Sequence, residues 1–180
     1  PCTGLWSACA SSSDGGPAIG RSRLAGCCVA AIAMVLGACA TPAARFDPRA
    51  TALGFTPLDL RGEGFRHRAY ATGAQRDADT LHVYIEHDGT PWLDLRSVAE
   101  DPTPRTPLAL ELMARDAGPR LFLGRPCYFE PREATGCDPL LWTHRRYSPE
   151  VVASMVAALR DFLARRAYRR LVLVGYSGGG

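Results

Sequence analysis

The sequence predicts an α/β domain with a mostly parallel sheet covered by helices, and three observations carry that reading. A run of β-favouring apolar residues, Leu171–Val174, leads straight into a Gly-x-Ser-x-Gly turn at Gly175–Gly179. Just before it, Val152, Met155, Val156, Leu159, Phe162 and Leu163 recur at helical spacing. Further upstream, the apolar stretch Leu81–Ile85 ends in a second glycine turn at Gly89. Strands alternating with helices imply parallel neighbours joined by crossovers.

Length and composition agree. A chain of 180 residues, 47% apolar and 22% charged, has room for one domain with a core. The net charge of +3 is small, and all 21 basic residues are arginine. They are scattered, except for Arg165, Arg166, Arg169 and Arg170 at an expected helix end, where cations suit the helix dipole. Nothing in this pattern calls for nucleic acid as a partner. The glycine turns also lack a Gly-x-Gly-x-x-Gly spacing and a following Lys-Ser/Thr, which a nucleotide site would need.

Residues 1–20 are rich in Ser, Gly, Ala and Pro and read as an unstructured upstream segment. Residues 21–39 then have the parts of an export signal. Arg21 and Arg23 give a positive start, Leu24–Leu36 an apolar core, and Gly37 and Ala38 small residues before Cys39. The core is short for a membrane span. Leu36-Gly37-Ala38-Cys39 resembles a bacterial lipobox, which implies lipidation of Cys39. Ala40, rather than Asp, follows it and leans towards the periplasmic face of the outer membrane. A signal without lipidation is the alternative. Residues 40–50 are expected to tether the folded part, 51–180.

Only Cys127 and Cys137 fall beyond Cys39. In an oxidising compartment one remaining pair reads as a disulfide, contributing about 2–3 kcal/mol. Two separate thiols are the rival reading. Metal ligation is disfavoured by the wide spacing and by His144 as the lone nearby imidazole. No metal and no cofactor is expected.

Within the domain, Leu53–Leu60 and Phe65–Tyr70 read as short strands joined around Arg61–Gly64. His67 falls on the face of Phe65, where a packed imidazole is the default. The strand Leu81–Ile85 leads into Glu86-His87-Asp88-Gly89-Thr90-Pro91-Trp92. A strand ending in a glycine turn presents backbone N–H groups to an anion. Trp92 either lines a pocket or caps the core. A helix is expected from Pro107 or Leu108 to Arg115, stopped by Gly118-Pro119, and a strand at Leu121–Leu123. The stretch 125–147 has no periodicity and reads as a binding or lid loop. Ser148-Pro149-Glu150 is a strong helix start, with a cap, a proline at the first position and an acid in the first turn.

Gly175-Tyr176-Ser177-Gly178-Gly179 has the form of a nucleophile elbow, a sharp strand-to-helix turn that exposes a serine. A flexible glycine-rich tail is the competing reading. In its order of elements the chain resembles the N-terminal half of an α/β-hydrolase. It is similar to bacterial lipoprotein hydrolases with a Gly-Arg-Pro-Cys-Tyr segment, here Gly124–Tyr128, and a Trp-Thr pair, here Trp142-Thr143. The resemblance covers about residues 50–180. It implies a three-layer α/β-hydrolase-like sandwich, incomplete at its C-terminus, with Ser177 as nucleophile. It also implies Gly178 with Gly89 or Thr90 as oxyanion donors. The substrate class is then an ester or amide, small molecule or peptide. Asp88 stands where many relatives have His before the glycine.

The family's acid and histidine follow later strands, so they are expected beyond Gly180. Neither His87 nor His144 is an expected substitute. The chain as given is expected to be inactive and poorly soluble, with the strand before Ser177 partly uncovered. The competing function is a non-catalytic envelope lipoprotein that binds a partner or small ligand through 125–147.

Overall fold

The structure, a computed structural model, describes residues 41–73, 78–129 and 136–180. The upstream segment, the export signal and Cys39 lie outside these residues. Among the described residues three α-helices and five strands form: α1 (Pro42–Ala52), β1 (Thr56–Arg61), β2 (Arg66–Ala71), β3 (Thr80–Ile85), α2 (Leu108–Arg115), β4 (Arg120–Leu123), α3 (Pro149–Leu163) and β5 (Arg170–Gly175). The strands make one sheet in the order β1-β2-β4-β3-β5.

This sheet corrects the expected architecture. It is mixed, not the mostly parallel sheet of an α/β-hydrolase-like sandwich. β1 and β2 are antiparallel, and β2 is antiparallel to β4. Only β3 pairs in parallel, with β4 on one side and β5 on the other. The reason is connection length. The short link from Arg61 to Arg66 can only fold back on itself, whereas a parallel return needs a crossover of a dozen residues or more. Such crossovers exist only between β3 and β4, through α2, and between β4 and β5, through α3.

Alternation along the strands builds a core on each face. Tyr70, Tyr84 and Phe122 pack with Phe46 and Ala50 of α1 and with Leu110 and Met113 of α2. Ala69, Ala71, Leu81, Val83, Leu121 and Leu123 face Ala158 and Phe162 of α3. The helices therefore cover both sides. Residues 42–52, within and beyond the expected tether, form a helix instead. Thr41 caps it by accepting from the Ala44 N–H, Pro42 starts it, and Phe46 and Ala50, four apart, bury its inner face. Asp101 adds a second acceptor, for the Ala43 N–H at 2.8 Å. α3 begins as the sequence indicates, with Ser148 accepting from the Val151 N–H. The Cys127–Cys137 disulfide forms, with the Cα atoms 5.5 Å apart. It closes the turn that starts at Arg125.

β5 lies at the sheet edge, and its Leu171, Val172 and Leu173 stay exposed, Leu173 by 62%. An uncovered apolar edge is a template for association. Among the described residues no helix is long and apolar enough to cross a membrane.

His67 is wholly buried on β2. Nδ1–H donates to the Gly124 carbonyl at 2.8 Å, and Nε2 accepts from the Ser154 hydroxyl at 2.7 Å. Both are pairings of a neutral ring. Burial pulls its pKa below the ordinary value, against the raising effect of the Gly124 carbonyl. Below the unfolded value of about 6.5 the unfolded chain therefore binds the extra proton and the folded chain does not. Stability is predicted to fall as pH drops below about 6.5. Urea unfolding at neutral and mildly acidic pH should show that loss reduced in His67→Gln.

Candidate active site

Because β3, β4 and β5 run parallel, their carboxyl ends meet at one edge of the sheet. That brings together Glu86–Thr90 after β3, Gly124–Phe129 after β4 and Tyr176–Gly180 after β5. From β3 the sheet grows to β4 on one side and to β5 on the other, and clefts form where connections diverge in this way.

The turn after β5 has the elbow's geometry. Tyr176 still donates its N–H to Ile85 O at 3.2 Å, as if the strand continued. Ser177 then adopts φ +52°, a left-handed conformation that costs a non-glycine residue about 1 kcal/mol or more. Ser177–Gly179 form one tight helical turn. The chain doubles back so closely that a Cβ on Gly175 would lie 2.3 Å from Gly179 O, and one on Gly179 would lie 2.3 Å from Ile85 O. Both neighbours are backbone, so neither position accepts a side chain.

A charged cluster braces this turn from behind. Arg125, only 6% exposed, donates through Nη2 to the carbonyl of Gly178 and through Nη1 to Arg146 O at 3.2 Å. Arg125 Nη2 also stands 3.2 Å from Asp88 Oδ1, and Arg146 Nε stands 3.1 Å from Asp88 Oδ2. Tyr147 OH donates to Asp88 Oδ2, and its ring lies under both guanidinium groups, at 5.3 and 5.1 Å. Tyr128 OH donates to the Asp88 carbonyl at 3.0 Å. Asp88 Oδ1 and both Arg Nε atoms lack well-aligned hydrogen bonds, so charge rather than directional bonding holds the cluster. A Cβ on Gly178 would lie 2.0 Å from Asp88 Oδ1. Asp88 therefore occupies the space that only a glycine at 178 leaves open.

In front of the turn, a cavity of about 470 Å³ opens beside Ser177. Tyr176, His87, Pro107, Leu108 and the Arg49–Glu111 pair share its lining. Its size suits a small ligand. His87 stands edge-on to Tyr176, with ring centres 5.8 Å apart. Both its nitrogens are engaged: Nδ1 accepts from the Gly89 N–H at 3.0 Å, so Nε2 carries the proton and donates to Thr106 O at 3.3 Å. Its neighbour Glu86, 4% exposed, accepts from the His87 N–H at 3.2 Å and from the Ala109 N–H at 2.9 Å. That carboxylate fixes the start of α2 to the end of β3. Burial raises its pKa, offset in part by these N–H bonds.

The sequence candidates are thus unequally placed. Ser177, Gly178, Gly175 and Gly179 converge, and Tyr176 joins them in the cavity. Gly89 takes φ +66°, and a Cβ there would lie 1.9 Å from Pro102 O. Its N–H is directed to His87, and the Thr90 N–H to Pro102 O at 2.9 Å. Neither amide faces Ser177 free of a partner. Trp92 pairs with Val98 and stacks edge-on against His144 at 5.8 Å, apart from the lining of the Ser177 cavity. Sequence reading passed over Arg125, Arg146 and Tyr147. Their one signal was Arg125 in the Gly124–Tyr128 segment.

Removing Arg125 leaves Asp88 with Arg146 alone as a cation among the described residues and takes the donor from the Gly178 carbonyl. Arg125→Met is expected to cost about 2–4 kcal/mol in chemical unfolding. Adding Asp88→Asn should recover about 1 kcal/mol or more in a double-mutant cycle.

The chain matches no protein-family model and no curated protein. Among solved structures it is similar to the crystal structure of a membrane phospholipase A described as a bacterial virulence factor. The identity is 18% and the TM-score 0.42, over 87% of this chain and 44% of that one. The chain spans less than half the length of that protein, and a likeness of this size bears on neither fold nor chemistry.

Proposed function

We propose that this chain carries the nucleophile of a serine hydrolase acting on an ester or amide, either a small molecule or a peptide. One observation supports the reading above others: Ser177 is held at φ +52° at the end of β5, beside a cavity, by glycines that permit no side chain. Strain of this kind persists where its surroundings over-determine it, and it clusters at reactive sites.

In this mechanism Ser177 Oγ adds to the substrate carbonyl as its proton passes to a base. The alcohol or amine leaves with a proton, and water then splits the acyl-serine. The Gly178 N–H, next to the nucleophile, is the assigned oxyanion donor, worth about 3 kcal/mol to the transition state. Arg125, through the Gly178 carbonyl, holds the next peptide unit, while the Ser177 carbonyl of the donor's own unit accepts from the Gly180 N–H at 3.1 Å. Among the described residues the imidazole in the cavity, His87, has both nitrogens committed, so the base is not His87 as it stands. That same observation favours the second reading, a non-catalytic protein that uses the cavity to bind a ligand or partner.

We also propose export with lipid attachment at Cys39, at the periplasmic face of the outer membrane. The Cys127–Cys137 disulfide supports an oxidising compartment. Metabolic labelling with an alkyne fatty acid should mark the protein, and Cys39→Ala should remove the mark; equal labelling of both would exclude this anchor.

A fluorophosphonate probe is expected to label the full-length protein and to lose at least about 90% of its signal in Ser177→Ala. No labelling of the folded wild type, or equal labelling of both, would turn the assignment to the binding reading.

A further inference from the structure

The cavity at Ser177 does not end at Arg49. A second one, of about 290 Å³, shares Arg49 and Pro107 with it and continues past Pro104 and Phe46 to Arg45 and Arg105. Arg45, Arg49 and Arg105 thus line a pair of adjoining cavities, a corridor whose other end holds the serine. Arg49 is partly spent on Glu111, with Nε at 2.9 Å. Arg45 and Arg105 are exposed and have no ion pair among the described residues. The nearby acid Asp101 is occupied by backbone, accepting from the Ala43 and Thr103 N–H groups at 2.8 and 2.9 Å. The second cavity has three arginines and no acid in its lining, and its walls of proline and phenylalanine are stiff and apolar.

Guanidinium groups that share a cavity and have no acidic partner, here Arg45 and Arg105, match the oxygens of a carboxylate or phosphate. Between them and Ser177, Pro107 and Leu108 give a hydrocarbon spacer an apolar wall beside the Arg49–Glu111 pair. We infer that the substrate is an anionic ester: its scissile carbonyl sits at Ser177, and a carboxylate or phosphate on the remote part is held by Arg45 and Arg105. This rests on the hydrolase reading and adds a substrate class to it. The corridor selects among substrates and takes no part in bond breaking.

The test uses three p-nitrophenyl esters of similar length on the full-length protein: the neutral butyrate, the glutarate with a free carboxylate, and the 4-phosphonobutyrate. Wild type should turn over at least one anionic ester with kcat/KM about tenfold above the neutral one, a preference reduced by salt. The double variant Arg45→Gln/Arg105→Gln should lose most of that preference through KM and keep the neutral ester within about twofold. Whichever anionic ester is preferred names the oxyanion. Equal kcat/KM for neutral and anionic esters, or a double variant that slows all three alike, would overturn the corridor and leave the serine hydrolase standing. Calorimetric titration of monobutyl glutarate and of butyl phosphate into Ser177→Ala reads the corridor without catalysis. Binding there that is lost with Arg45 and Arg105, in a wild type that cleaves none of the esters, would keep the corridor and remove the hydrolase. No binding and no anionic preference would remove the corridor.

Discussion

The contact of backbone with backbone at Gly175, Gly179 and Ile85 is the constraint on which the site depends. The chain leaves β5, turns through Ser177 and returns so closely that carbonyl oxygens fill the places where Cβ atoms would be. A turn this tight cannot hold itself, because the serine's own conformation opposes it. It is held by β3 on one side, through the Tyr176 to Ile85 hydrogen bond, and by Arg125 on the other, through the Gly178 carbonyl. Arg125 is in turn held by Asp88 and Tyr147. The elbow is therefore the meeting point of three parallel strands and not a property of five residues.

The mixed sheet explains how so short a chain brings these pieces together. The antiparallel pair β1 and β2 takes no part in the site and serves as backing. Buried His67 ties β2 to Ser154 of α3 and to Gly124 at the end of β4. Gly124 is followed directly by Arg125, so the packing of a histidine within the sheet fixes where the guanidinium starts. The disulfide two residues further on closes the same turn, in which Cys127 and Phe129 both take positive φ.

What the sequence disclosed follows from which signals are local. The Ser148-Pro149-Glu150 start of α3, the β-rich run before Gly175 and the pairing of the two remaining cysteines are read from neighbours along the chain, and all three appear in the structure. Strand direction is a tertiary property, and the helix-strand alternation of the second half was wrongly extended to the first. The short link at 62–65 already required an antiparallel pair there. α1 was obscured by Pro42 and Pro48, which look like linker residues until Pro42 is seen at a first helical turn. The Asp88 cluster was illegible because its members come from three separate loops. The Gly89 and Thr90 amides were expected to face an anion, but the loop closes on itself and uses both.

The backbone at 177 sets what its side chain costs the fold. Glycine would relax the left-handed conformation, and asparagine would tolerate it better than serine does. On stability alone, serine is therefore not the residue that position 177 favours. A hydroxyl held where the backbone least favours it is a local cost in stability that the surrounding structure has to absorb. The sheet and the charged cluster around it supply the surplus stability that makes such a residue tolerable.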